Sequence, residues 1–411
     1  MARVYAGGVA TLDIDALIIG GGIAGLWTAD ALTRAGYACV VVERTALGDG
    51  QTIWSQGIIH SGLKYTLDGL LHPSARAIRD MPARWAAALR GEGEGPDLRG
   101  ARVRSPHCWL WQTASLGSRV GMVGARAGLR VKPVVVGEGE RPGPLRGCTG
   151  VVARLDEPVL DVASVLGALG AEHGDRIVRA DLREGDLRGE GDRIVVRLSP
   201  SVEARASRVV IAAGNGAAAL RAMLGLGSDA MQVRPLRMVM VRGAALAELH
   251  GHCVDGAKTR VTITSARDAA GRTVWQVGGE IAERGAAMSE AELLSAAHRE
   301  LREVVPGVDL SECEMAAYEA PRAEGRMRSG ARPVGPVVVT DGPVLTVWPT
   351  KLALAPVAAD MVADAMRGVS PRGGRVVVHG CARPLVAAAP WDDPHRRWVS
   401  AADSMAGPGG S

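Results

Sequence analysis

The residues best placed to do chemistry stand near the start of the chain. Gly20, Gly22 and Gly25 in "GGGIAG" have the G-x-G-x-x-G spacing, which lets a turn approach a pyrophosphate held at a helix N-terminus. Gly20, Gly22, Ile23, Ala24 and Gly25 are therefore expected phosphate contacts. Glu43 ends the next apolar run, where a carboxylate accepts hydrogen bonds from an adenosine ribose, and Arg44 beside it leaves a phosphorylated dinucleotide open. This pattern suits FAD and NAD alike. The stretch "SQGIIHSGLKYTL", Ser55 to Leu67, then gathers a histidine, a lysine and a tyrosine around two glycines. A hydride-transferring cofactor needs a dry pocket beside its ring, donors for an anionic substrate, and a group that handles an alcohol or amine proton. Ile58 and Ile59 supply dryness, Gly57 and Gly62 close approach, and His60, Lys64 and Tyr65 the polar groups. Gln56, Gly57 and Ile58 count as cofactor contacts.

Further along, "RVVIAAGNG" reads as a strand entering a small-residue turn, with Ala213 and Gly214 at a second crossing on the dinucleotide side. Lys351 is one of four lysines, with Lys64, Lys132 and Lys258. It sits beside an apolar run, where a lone lysine is uncommon unless paired or functional. A helix beginning near Thr350 would turn its positive end toward the N1 and C2 carbonyl edge of a reduced flavin, so Thr350, Lys351 and Leu352 are expected cofactor contacts. His250 and His252 lack an acid or cysteine at metal-ligand spacing and read as structural. No metal site is expected.

These residues need elements to hold them. Ile14 to Ile19 predicts a buried parallel strand, Ile23 to Ala35 a helix with Ile23, Leu26, Trp27 and Ala31 on one face, and Cys39 to Glu43 a second strand. Asp161 to Leu169 predicts a short helix stopped by Gly170, followed by strands in "DRIVVRL" and "SRVVIAAGNG". Three further runs, "LRMVMVRG", "TRVTITS" and "RTVWQVGGEI", predict an antiparallel sheet. Ser289 and Glu292 form a capping-box signature for a helix that points Leu294, Ala297, Leu301 and Val304 inward and stops at Pro306. The glycine-rich stretches 91–100 and 137–147 read as exposed loops, and residues 400–411 as a disordered tail.

At 411 residues the chain can bury a sizeable core. Its net charge of +4, carried by arginines interspersed with acids, gives no case for nucleic acid. No run approaches the roughly 18 apolar residues of a membrane helix, and the start lacks the form of a signal peptide. Six widely spaced cysteines without a C-x-x-C pair fit a reducing, cytoplasmic setting.

The opening "DALIIGGGIAGLWTADALTRAGYACVVVER" resembles the FAD-binding start of the D-amino-acid oxidase superfamily. That superfamily includes glycine and sarcosine oxidases, L-2-hydroxyglutarate dehydrogenase and FAD-dependent glycerol-3-phosphate dehydrogenase. "IIHSGLKYTL" resembles the glycerol-3-phosphate dehydrogenase segment that follows the first FAD contacts, and "TKLALAP" resembles that family's glycine-glycine-lysine-leucine segment near the flavin. "SGARPVGP" is similar to the glycine-x-arginine-proline stretch, with Arg332 as the substrate-side arginine, and "LDEPVLDV" to the segment that returns the chain to the FAD domain. Pro349 and Thr350 stand where that family has two glycines, so a different backbone approach to the flavin is expected there.

The resemblance implies an α/β chain, α+β overall. A Rossmann-like FAD-binding domain from residues 1–85, 150–216 and 330–399 would be interleaved with an antiparallel-sheet substrate domain from 86–149 and 217–329. It implies noncovalent FAD and hydride transfer from a small anionic hydroxy or amino substrate, with His60, Lys64, Tyr65, Arg332 and Lys351 as catalytic residues. The electron acceptor stays open between oxygen, a quinone and another protein. Two other readings stay open as well. One is an NAD(P)-linked or oxygen-using flavoprotein, disfavoured because no second G-x-G-x-x-G follows a later strand. The other is a dinucleotide-binding protein without catalysis.

Overall fold

The structure, a computed structural model, describes residues 2–4, 9–61, 78–113, 133–255 and 258–405. Its first sheet is built around the strand Ala10–Ile19, which is apolar and buried along most of its length, as a strand covered on both faces requires. This strand pairs in parallel with Cys39–Glu43 on one side and with Val202–Ile211 on the other. It starts before the expected Ile14 because Ala10 to Asp13 have partners in Val202 to Arg205. Cys39–Glu43 has the predicted bounds, and the helix Ile23–Arg34 between the two strands ends one position early. Ile177–Arg179 extends the parallel order beyond Cys39–Glu43. On its far edge Val202–Ile211 changes partner: its first half runs antiparallel to Arg193–Ser199, and Val209 to Ile211 run parallel to Val344 to Thr346. Several parallel strands therefore end side by side, which is where open α/β sheets hold ligands.

The second sheet has nine strands, running from Val399–Ser400 through Glu314–Glu319, Arg237–Gly243, Thr273–Gly278, Lys258–Arg267, Gly251–Asp255, Cys108–Trp111 and Val152–Leu155 to Val134–Val135. The three β-rich runs are neighbours in it and antiparallel, as their alternation predicts. One joint departs from the expected pattern. Gly251–Asp255 pairs in parallel with Cys108–Trp111, and a Cβ on Gly251 would lie 2.0 Å from the Trp109 carbonyl oxygen. Only glycine permits that approach.

The helix after Asp161 runs Val162–His173, with the Asp161 carboxylate accepting from Ser164 N. Gly170 does not stop it. A Cβ there would sit 2.8 Å from Leu47 Cδ1, so this glycine serves packing. The glycine-rich stretches are surface turns, with Leu98 and Leu145 as buried anchors. Ser289 caps Glu290–Val304 in a full capping box, and Leu294, Ala297, Leu301 and Val304 are buried. The tail expected to be disordered from residue 400 is instead placed as far as Met405. Val399–Ser400 pairs with Glu314 and Met315, and the buried Ala401 brings its carbonyl within 2.8 Å of His298 Nδ1. Among the described residues no helix is long and apolar enough to cross a membrane.

Because Ser289 satisfies an otherwise unpaired amide of that helix, Ser289→Ala is expected to lower the unfolding free energy by about 1 kcal/mol. Urea unfolding measures it, and an unchanged midpoint would show that the box contributes nothing to stability.

Candidate functional site

At the end of Ala10–Ile19 the chain turns through Gly20 with a φ of 118°, a conformation that side chains rarely allow. A Cβ on Gly20 would lie 2.5 Å from the Ala212 carbonyl oxygen, and one on Gly25 would lie 1.9 Å from the Gly20 carbonyl oxygen. Backbone crowding therefore demands both glycines. Thr52 Oγ1 accepts from Ile23 N at 3.1 Å and closes the first helical turn. Glu43 accepts from Gly21 N at 2.7 Å through Oε2 and from Thr45 N at 2.9 Å through Oε1. The carboxylate thus ties the turn to the second strand and keeps further lone pairs for a ribose.

One cavity of about 650 Å³ includes this turn in its wall, a size suited to a cofactor together with a small substrate. Every residue expected to touch a cofactor lines it except Gly25, which lies beneath the turn. His60, Arg332 and Lys351 line it too. Lys64 and Tyr65 fall outside the described residues, as does Gly62. The loop from Gln56 to Ile58 is fastened to the second sheet and to the short strand Val159–Leu160. Gln56 Nε2 donates to the Thr262 and Gln276 carbonyls at 2.9 and 2.8 Å, so its amide is spent on the second sheet. Gly57 has a φ of 72°, and a Cβ on it would lie 2.2 Å from the Leu160 carbonyl oxygen. Ile58 bridges to Val159.

The segment Pro349 to Leu352 departs from expectation in two ways. The helix begins later, with a single 3₁₀ turn at Leu352–Leu354 and the α-helix proper at Ala355–Ala365. Thr350 takes a φ of 61°, and Lys351 N donates to the Pro349 carbonyl at 2.7 Å, closing a three-residue turn of the rare, strained kind. The loss of two glycines has therefore not removed the left-handed turn. Trp85 Nε1 anchors the 3₁₀ turn by donating to the Ala353 carbonyl at 3.0 Å.

Two buried acids stand behind these side chains, and sequence reasoning missed one of them, Glu157. Glu324 is fully buried, with Arg234 Nη2 at 2.7 Å and Arg332 Nε at 4.0 Å from its Oε1. Glu157 is also buried and faces His60. His60 Nδ1 lies 3.2 Å from Glu157 Oε2, while Ser61 donates to Oε1 through its N at 2.7 Å and its Oγ at 2.6 Å. Burial pushes the Glu157 carboxyl up, but the His60 hydrogen bond and charge, with the Ser61 bonds, outweigh it and hold the group below its ordinary value. His252, read from sequence as structural without an acidic partner, has its ring centroid 5.3 Å from that of His60. His60, Glu157 and His252 bring one nitrogen or oxygen each within 4.8 Å of one another. The acid comes from the turn after the strand Val152–Leu155, far away in sequence, so no local spacing announces it.

The crowded glycine turn, the Glu43 carboxylate and the cavity volume fit a dinucleotide. Over residues 15–365 the chain matches the family described as FAD dependent oxidoreductase. It is 41% identical over 387 residues to the probable FAD-dependent oxidoreductase PA4991 of Pseudomonas aeruginosa, covering 93% of this chain and 98% of that one. The crystal structure of PA4991 aligns with a TM-score of 0.76 at 39% identity, over 93% of this chain and 98% of that one. Two more distant structures share the fold. Glycine oxidase from Geobacillus kaustophilus aligns with a TM-score of 0.62 at 16% identity, over 88% of this chain and 97% of its own. L-alpha-glycerophosphate oxidase from Mycoplasma pneumoniae, with FAD bound, gives 0.60 at 12%, over 92% and 99%.

The geometry makes two outcomes testable. Gly25→Ala must push the helix off the strand end and is expected to reduce retained flavin at least about tenfold, read from the visible to ultraviolet absorbance ratio. Unaltered flavin content would show that the contact yields. For Glu157, a carboxyl depressed in the folded state contributes stability above its ordinary value of 4.5 and loses it as pH falls through the lower folded value. Glu157→Gln should be less stable than the parent at neutral pH, with a gap that narrows in acid. A gap that widens on acidification would reverse the assignment.

Proposed function

The chain belongs to the DAO family of FAD-dependent oxidoreductases, and from that premise we propose that its substrate is a small anionic hydroxy or amino compound. FAD, when bound, supplies the acceptor for the hydride. The chain's own residues then have three tasks: to hold the anion, to exclude water, and to take the proton of the hydroxyl or amine. The observation that carries this reading is the meeting of Arg332, Lys351 and His60 on the wall of the cavity that also contains the Gly20 turn.

Arg332 offers a bidentate fork for a carboxylate or phosphate, and Lys351 a point charge. Glu324 steadies Arg332 from 4.0 Å. His60 takes the proton, and Ile58 and Ile59, both buried, keep its surroundings dry. Relatives of this fold support the substrate class, one named as a glycine oxidase and one as a glycerophosphate oxidase. The six unpaired cysteines, five of them buried, support a reducing cytoplasm as its setting.

The protein should purify yellow, and Glu43→Ala should weaken FAD retention about 10- to 150-fold, the loss of a charge-assisted acceptor. Anaerobic bleaching with a panel of 2-hydroxy acids, polyol phosphates and amino acids identifies the substrate, and a panel that bleaches nothing sinks the substrate class. With the compound found, Arg332→Ala should slow flavin reduction per unit substrate concentration roughly 30-fold to several thousand-fold with FAD still bound. Unchanged reduction in both Arg332→Ala and Lys351→Ala would place the anion site elsewhere.

A further inference from the structure

We propose that Glu157 is the positioning residue for His60: its buried carboxylate accepts from His60 Nδ1, fixes the neutral tautomer with Nε2 unprotonated toward the cavity, and offsets the imidazolium formed when His60 takes the substrate proton. This inference rests on the proposed role of His60 and adds the group that makes the role possible.

The geometry supports it at each end of the carboxylate. Oε1 is occupied by two donors from Ser61, at 2.7 and 2.6 Å, which lock the orientation of the group. Oε2 is thereby aimed at His60 Nδ1 at 3.2 Å. A carboxylate only accepts, so the proton of this bond belongs to Nδ1, and in the neutral ring the second nitrogen then keeps its lone pair. His60 itself lines the cavity while Glu157 does not, so the acid acts through the ring.

The groups around the pair argue that a single positive charge is accommodated there. Cys108, on the strand Cys108–Trp111, faces Glu157, and burial together with that carboxylate pushes its thiol far up, so it stays neutral. His252, on Gly251–Asp255, lies with its ring 5.3 Å from that of His60, and its Nδ1 is 2.8 Å from Thr262 Oγ1. Two imidazolium ions at that distance would repel strongly in a poorly solvated site, and Glu157 offsets only one. Within the described cluster, Glu157 is the acid that stands against His60. In the reaction the hydroxyl or amine proton passes to His60 Nε2. The carbon-bound hydrogen leaves with its electron pair to FAD, and the substrate becomes a carbonyl or imine.

The test begins without any substrate. FAD-loaded protein labelled with ¹⁵N-histidine gives multiple-bond ¹H–¹⁵N spectra across pH, with His60 identified by the signals lost in His60→Asn. The expected result is the Nδ1-protonated tautomer in the parent and a His60 titration displaced to lower pH in Glu157→Gln, with flavin content unchanged. Ser61→Ala, a milder change, should move the titration the same way by a smaller amount. An Nε2-protonated His60, or titrations that coincide in the parent and both variants, overturns the proposal.

With a bleaching substrate in hand, Glu157→Gln should shift the acid limb of the flavin-reduction profile to lower pH and lower its plateau about 10²- to 10⁴-fold. A plateau lowered with the acid limb unmoved means a structural role only and also overturns it. Failure of every panel compound to bleach the flavin sinks the substrate class and leaves the spectra to decide the role of Glu157.

Discussion

The site depends first on how closely the helix Ile23–Arg34 sits on the strand before it. The Gly25 position lies so near the Gly20 carbonyl that a Cβ would come within 1.9 Å of it, so helix and strand meet backbone to backbone. That contact fixes the direction of the helix axis and hence the direction of its positive end, worth about half an elementary charge. The turn is then secured from the second strand, with Gly20 N donating to the Val42 carbonyl at 2.8 Å and Gly21 N to Glu43 at 2.7 Å. At the other end Asp15 accepts from Ala38 N at 2.8 Å and from Arg372 N at 2.9 Å, closing the return from helix to strand. A cofactor site built this way is rigid because its walls are main chain, with few rotamers to settle.

A dinucleotide site alone does not choose a substrate. The second sheet adds Met238, His252 and Thr262 to the cavity wall, and Gln56 ties the loop to it by donating to the Thr262 and Gln276 carbonyls of two adjacent strands. Gln276 answers by donating to the Trp54 carbonyl at 2.8 Å. Gly278 makes room, since a Cβ there would stand 2.8 Å from Gln56 Oε1. The loop that carries His60 thus takes its position from the second sheet and from the short strand Val159–Leu160. His252 and Glu157 come to His60 from the same second sheet and from the turn after its strand Val152–Leu155.

This division explains what could be read in the sequence. The strand Cys39–Glu43, the first helix and the capped helix Glu290–Val304 are specified by local periodicity and by caps a few residues apart, and the structure keeps them nearly residue for residue. The glycine fingerprint is equally local. Glu157 carries no such signal, because its partner His60 lies 97 residues away. His252 looked structural for the same reason: its neighbours His60 and Thr262 are brought to it by fold and strand pairing. Gly170 misled in the opposite direction, since glycine's smallness serves a packing contact with Leu47 that local propensity cannot see.

Two arginines stand on the buried Glu324, one close and one farther off. Glu324, with no exposure, would be very costly as an isolated carboxylate, and Arg234 at 2.7 Å is the partner that makes it tolerable. Arg332 stands farther off, at 4.0 Å, and is partly open to the cavity. Arg234 is further matched by Glu283 at 3.2 Å. The nearer guanidinium therefore compensates the buried acid, while the farther one is oriented by the same acid without being consumed by it. If Arg332 is the anion contact proposed above, an acid behind it would limit the conformational freedom it loses when an anion arrives, which is how an ion pair behind a binding residue raises affinity for the ligand in front of it.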